Sequence, residues 1–331
     1  MIRSFVPGTI ARAYLSAGAL FLGCLAGGIA CHAQPAPHRS LLALSKTDHT
    51  LAIVDPATLK VVARIPVGED PHEVIASADG RAAYVSIYGG GSLHELDVLD
   101  LVAQKPLPAV DTRPLFGPHG LVFENGKAWF TAEGSKAVGR YDPATGRLDW
   151  SMGTGQDRTH MLYVTADGRR IYTTNVTSGT VSILVDTLMS FGPPGPPPGA
   201  QPSAGAQSPP PGARQREEWH QMVIPVGRGS EGFDVSPDGR ELWTAAAGDG
   251  TICIIDLQAK QLSAKLDAGV QGANRVKFTP DGRQVFITSL SSGELTIYDA
   301  RTRKEIKRLK TGHGAAGILM DEEGSRAFVA C

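Results

Sequence analysis

From about residue 40 onward, apolar and polar positions alternate in short bursts broken by Gly, Asp and Pro. A period of two marks half-buried β-strands, and no stretch holds a helical period long enough to compete. The bursts come in a fixed order. ASADGRAAYVSI (76–87), VTADGRRIYTTN (164–175), VSPDGRELWTAA (235–246) and FTPDGRQVFITS (278–289) each read as strand, Asp-Gly-Arg turn, strand. A third strand follows in TVSILVD (180–186), TICIIDL (251–257) and ELTIYDA (294–300), and a fourth in KVVARIPVG (60–68), HQMVIPVG (220–227) and EIKRLKTG (305–312). One unit, at 119–146, shortens the turn to ENGK.

The units open at 72, 119, 160, 231, 274 and 316, spaced 41 to 47 residues apart with one interval of 71. The long interval holds a Pro/Gly-rich insertion, 191–218, between the third and fourth strands of its unit. Proline there cannot donate to a ladder, so the segment is expected to leave the body as a loop. Four strands per unit of this length predict an all-β fold, a β-propeller of four-stranded blades over 41–331. The first unit lacks its first strand and the last stops after its second. The expectation is therefore a seven-bladed type with an incomplete last blade, the chain ending mid-blade; a six-bladed ring closed by strand exchange is the alternative. Aspartates closing third strands (Asp55, Asp97, Asp142, Asp186, Asp256 and Asp299) are expected to brace turns.

Residues 1–33 read differently. Arg3 and Arg12 precede an apolar run, 13–30, and cleavage after Ala33 fits a signal peptide. This places the protein in the periplasm or outside the cell, with a tether through the N-terminal segment or a lipid as alternative and no membrane span in the mature chain. Without Arg3 and Arg12, 30 basic residues face 33 acidic ones, which offers nucleic acid no electrostatic grip. Of the four cysteines only Cys253 and Cys331 then remain, too few for a disulfide framework and without zinc-ligand spacing.

The recurring SPDGR…IID pattern resembles the YVTN-type β-propeller repeat family, with the signature tetrapeptide altered to AYVS, IYTT, LWTA, VFIT and AFVA. The resemblance implies an exported propeller, commonly seven-bladed. Locally, GPHGLVFENGKAWFTAEGSKAVGRYDPATG (117–146) resembles virginiamycin B lyase-like propellers, magnesium-dependent enzymes that open a cyclic ester through a histidine.

In a propeller the first strand of each blade lines the central channel. The aligned openings are His72, His119, His160, Glu231, Asn274 and Ala316. Three imidazoles, a carboxylate and an amide on one rim suit a small ligand. His72, His119 and His160, from consecutive blades, are the predicted metal triplet for a divalent ion such as Zn²⁺; no other cofactor is indicated. Arg113 and Arg158, in loops entering first strands, complete the predicted ligand-binding set by neutralising an anion. Asp70, Asp157 and Arg275 share that mouth. No nucleophile elbow, phosphate loop or haem-attachment motif occurs. The leading functional expectation is a propeller scaffold that binds a protein or small ligand at its rim. The alternative is a metal-dependent lactonase or lyase using the rim histidines, and a redox or sensing role is suggested only by the family resemblance.

Overall fold

The Asp-Gly-Arg turns are built from one repeated set of bonds. Ser77, Thr165, Ser236 and Thr279 each donate a hydroxyl to the aspartate two residues on, at 2.5–2.7 Å. The same aspartate oxygen accepts the backbone N–H of Arg81, Arg169, Arg240 or Arg283 at 3.0–3.1 Å. These bonds hold the Asp79, Asp167, Asp238 and Asp281 carboxyls below their ordinary range. The intervening glycines have φ of 65–72°. A side chain there would meet its own following carbonyl, at about 1–2 kcal/mol.

The computed structural model describes residues 2–5, 39–191 and 214–331. It contains six four-stranded antiparallel sheets and a two-stranded one. The sheets are the blades of a propeller, numbered here in chain order. Their inner strands are Ile2–Phe5, Pro71–Ala76, Pro118–Glu124, Thr159–Val164, Ser230–Val235, Ala273–Phe278 and Ile318–Met320. Each touches the next, and Ile2–Phe5 closes the ring between Ile318–Met320 and Pro71–Ala76. The seventh blade is the two-stranded one, Ile318–Met320 with Ala327–Val329.

The termini do not share a blade. Ile2–Phe5 pairs with Ser40–Ser45 and takes the missing inner position of blade 1. The rest of the expected leader, from residue 6 to residue 33, lies outside the described residues. Blades 7 and 1 are joined instead by side chains. Leu319 and Phe328 pack on the Leu41, Ala52 and Val54 cluster, Arg39 pairs with Glu323 at 2.9 Å, and Arg326 donates to the Pro56 carbonyl at 2.6 Å.

Burial is greatest in the second strands and least in the fourth. Second strands such as Lys127–Ala132 and Glu241–Ala246 are buried along nearly their full length, whereas fourth strands such as Gln261–Asp267 are mostly exposed. Second strands are sandwiched between neighbouring blades, and each Leu, Ile or Val removed from water there is worth about 1.5–3 kcal/mol. Hydroxyls on these strands also fasten neighbouring blades. Thr131, Thr174 and Thr288 donate to the carbonyls of His160, Glu231 and Ala316 in the following blade at 2.5–2.6 Å.

Three sequence expectations shift, and the first is Asp186, which sits mid-strand opposite Trp219 in blade 4 rather than bracing a turn. In blade 2 it is Asp100, not Asp97, that braces the third turn, accepting Val102 N at 2.9 Å. Asp97 lies mid-strand and accepts Gly68 N at 2.7 Å instead. In blade 4 the third and fourth strands, Thr180–Phe191 and Arg214–Pro225, run 12 residues each. Phe191 and residues 214–218, read as insertion, thus belong to the ladder. The run Arg-Gln-Arg-Glu-Glu contains no proline, so every residue of it can pair. Residues 192–213 lie outside the described residues.

Candidate metal centre at the channel mouth

The site begins with a close approach of two inner strands. Gly120 follows His119, and a Cβ on it would lie 2.7 Å from the His160 carbonyl oxygen and 3.0 Å from Met161 Cα. Thr131 sits in the same seam, accepting Gly120 N at 2.8 Å while donating to His160 O. Blades 3 and 4 are thereby drawn together, and the His119 and His160 rings stand 4.0 Å apart between centroids. Both residues are buried, 3 % exposed.

Glu133 completes the group. It opens a single 3-10 turn, Glu133–Ser135, directly after the second strand of blade 3. Its Oε1 bonds His160 Nδ1, and its Oε2 accepts the Tyr88 hydroxyl at 2.5 Å with the Arg158 guanidinium 3.5 Å away. His119, Glu133 and His160 each bring one ligating atom within 4.8 Å of the others. His119 Nδ1 and His160 Nε2 are buried without a hydrogen-bond partner among the described residues.

Electrostatics prepare these donors. Burial, reinforced by the neighbouring imidazoles and the Arg275 charge, drives His119 well below its ordinary value, so the ring is neutral near pH 7. Burial alone would raise Glu133. The bond and charge of His160, the Tyr88 hydroxyl and Arg158 outweigh it and keep the carboxylate ionised. Tyr88, desolvated and donating to a carboxylate, is held firmly as the phenol. Two imidazoles with unpaired nitrogens and one carboxylate form the His₂–carboxylate set that binds divalent cations while leaving coordination positions open. The residues present fit a metal.

The predicted rim residues are brought together with two exceptions. His72, His119, His160, Glu231, Asn274 and Arg158 all line one cavity of about 590 Å³, with Tyr88, Lys46 and Arg275. His72 does not join the metal group. Its Nδ1 lies 3.0 Å from the Asp70 carbonyl and its Nε2 2.8 Å from Lys46 Nζ, so both nitrogens are engaged, and its ring only abuts His119 at 4.6 Å. Glu133 takes that place. Arg113 is absent from the cavity because it is turned outward onto Asp111. Around the rest of the rim, Asn274 Nδ2 donates to Glu231, and Arg275 donates to Asn274 Oδ1 at 3.1 Å and Glu73 Oε1 at 2.6 Å.

Glu133 escaped the sequence reading because it lies off the first-strand register. A signal existed one strand away. The residues just past each second strand are Lys46, Tyr88, Glu133, Val176, Ala247, Leu290 and Ala330, and Glu133 is the one carboxylate among them.

These features define a seven-position β-propeller with a metal-capable centre at one channel mouth. No protein-family model matches the sequence, and no curated protein does. Among solved structures the chain is similar to a chain of the hydrazine synthase of Kuenenia stuttgartiensis, with a TM-score of 0.67 and 15 % identity, over 93 % of this chain and 96 % of that one. At that identity the likeness shows the propeller fold alone.

Proposed function

We propose that the protein is an exported, metal-dependent propeller enzyme of the lactonase or lyase class, acting on a cyclic ester held in the channel mouth. The observation that carries this reading is the His119–Glu133–His160 group, with two buried imidazole nitrogens left unpaired. A rim serving only as a docking surface has no use for such orphans, each of which costs about 1–3 kcal/mol. The segment resembling lyase propellers, 117–146, contributes His119 and Glu133, and the YVTN-type repeat pattern supports export. Among the described residues no helix is long and apolar enough to cross a membrane.

A divalent ion held by His119, His160 and Glu133 would polarise the ester carbonyl as a Lewis acid. The protein's own groups do the rest. Tyr88 and Arg158 hold Glu133 in place beside the two imidazoles. His72, outside the metal group, is the base. Its Nδ1–H donates to the Asp70 carbonyl, which leaves the lone pair on Nε2, facing Lys46. Burial lowers His72, so it is unprotonated near neutral pH. When Nε2 takes a proton from water or from the substrate carbon, Lys46 can turn to Asp70 Oδ1, already 3.0 Å away.

Elemental analysis of purified protein tests the reading, with His119→Ala, His160→Ala and Glu133→Gln beside the parent. About one divalent ion per chain is expected, lost in each variant together with opening of cyclic esters and restored by added metal only in the parent. A parent that carries no ion after metal loading, and whose thermal midpoint ignores chelator, would sink it.

A further inference from the structure

Two residues before each rim position, the backbone turns into its inner strand through the left-handed region. The six equivalent residues are Asp70, Gly117, Arg158, Gly229, Gly272 and Gly314, with φ of 54°, 65°, 55°, 83°, 69° and 71°. Four are glycine, as this conformation favours. Asp70 is of a type that adopts it readily through local hydrogen bonding. Arg158 has neither excuse. Lys136, Lys260 and Arg303 adopt the same region in outer turns, but at these six inner positions Arg158 is the one long cation, and its side chain faces the cavity.

The Arg158 side chain lies along the cavity wall and is 44 % exposed. Its own contacts are long, 3.5 Å to Glu133 and 3.9 Å to Glu231. The other two cations of the cavity are committed more closely. Arg275 holds Glu73 at 2.6 Å and is mostly buried, while Lys46 holds Asp70 at 3.0 Å and His72 at 2.8 Å. Arg158 is thus the cation with donors to spare, next to the metal group. A guanidinium presents a planar fork that matches a carboxylate with two parallel bonds.

We infer that Arg158 anchors a substrate carboxylate, so that the site takes cyclic esters carrying a free carboxylate near the ester bond. The inference rests on the metal-dependent ester-opening reading for the reaction, but not for the binding. Hydrolysis of such a ring adds water across the acyl C–O bond and releases a hydroxy-dicarboxylate.

The test compares the γ-lactone of 2-hydroxyglutaric acid, which keeps a free carboxylate, with its methyl ester, on metal-loaded full-length protein. The acid is expected to be preferred in kcat/KM by about 10- to 100-fold, the range of one charge-assisted contact. In Arg158→Gly and Arg158→Ala the ratio falls to near one, and Arg158→Lys keeps part of it. Arg158→Gly relieves the left-handed backbone but removes a partner of Glu133, so the metal content of each variant is measured beside the ratio. Equal rates for both esters in the parent, or a preference that survives Arg158→Gly, overturns the inference. If neither ester is opened, calorimetric titration of 2-hydroxyglutarate into chelator-treated protein decides. Binding weakened at least about tenfold by Arg158→Gly upholds the anchor and defeats the ester-opening reading. No binding at millimolar ligand overturns the anchor as well.

Discussion

His119 is neutral inside the fold because burial, reinforced by the neighbouring imidazoles and the Arg275 charge, disfavours a proton on its ring. Its folded value lies below the ordinary imidazole value, whereas the unfolded chain titrates near that value. Above it neither state carries the proton, and the full stability is present. As pH falls through it, only the unfolded chain gains a proton, so stability declines. Chelator-treated protein is therefore expected to lose thermal stability between about pH 7 and 5. His119→Gln should show a flatter profile over that range in differential scanning calorimetry. Identical slopes for parent and variant would mean that the ring is solvated in the folded state. Glu133 is set by the same physics with the opposite sign, since donors rather than burial prevail there.

At the scale of the element, the seam between blades 3 and 4 does more for the site than either strand alone. Gly120 has no left-handed backbone to justify it; it is needed because a carbonyl of the next blade passes 2.7 Å from where a Cβ would be. Gly232 repeats the arrangement against the Asn274 carbonyl at 2.4 Å, between blades 5 and 6. Gly120→Ala must push the inner strands apart and is expected to cost about 1–3 kcal/mol, the usual price of overpacking. It should also weaken metal affinity, since His119 and His160 would separate. Urea denaturation and metal titration measure the two effects. A stable variant with unchanged affinity would show that the seam does not position the imidazoles. The Asp-Gly-Arg turns, by contrast, depend only on local bonds, and their geometry is the same in four blades whatever the rim carries.

Across the whole molecule, one contact spans the channel. Glu73 is in blade 2 and Arg275 in blade 6, with blades 7 and 1 between them on one side and blades 3 to 5 on the other. Their 2.6 Å ion pair crosses the axis. Arg275 borders the metal-side cavity, and both residues border a second cavity of about 270 Å³. Glu73 is 1 % exposed, so removing its partner strands a charge. Arg275→Ala is expected to destabilise by about 3–5 kcal/mol, whereas Glu73→Leu with Arg275→Met should come back close to the parent. Chemical denaturation of the single and double variants checks this. A mild single variant would mean that water reaches the pair.

Much of this architecture was legible in the chain because repetition reports it many times over. Strand periodicity, the spacing of units and the repeated turn residues are local properties, and they sufficed for the blades, the seven positions with a short last one, and the rim register. His119 and His160 followed from that register. What the chain could not display is which side chains meet across blades. His72 and Glu133 exchange places in the metal group because Lys46 and the Asp70 carbonyl occupy both nitrogens of one, while a 3-10 turn swings the other inward. Arg113 leaves the mouth for Asp111, and Arg275 finds Glu73 across the axis, 202 residues away in sequence. A repeat specifies its own unit through short-range bonds. The chemistry at the axis depends on the identities of side chains from different units, and only closing the ring puts them in reach of one another.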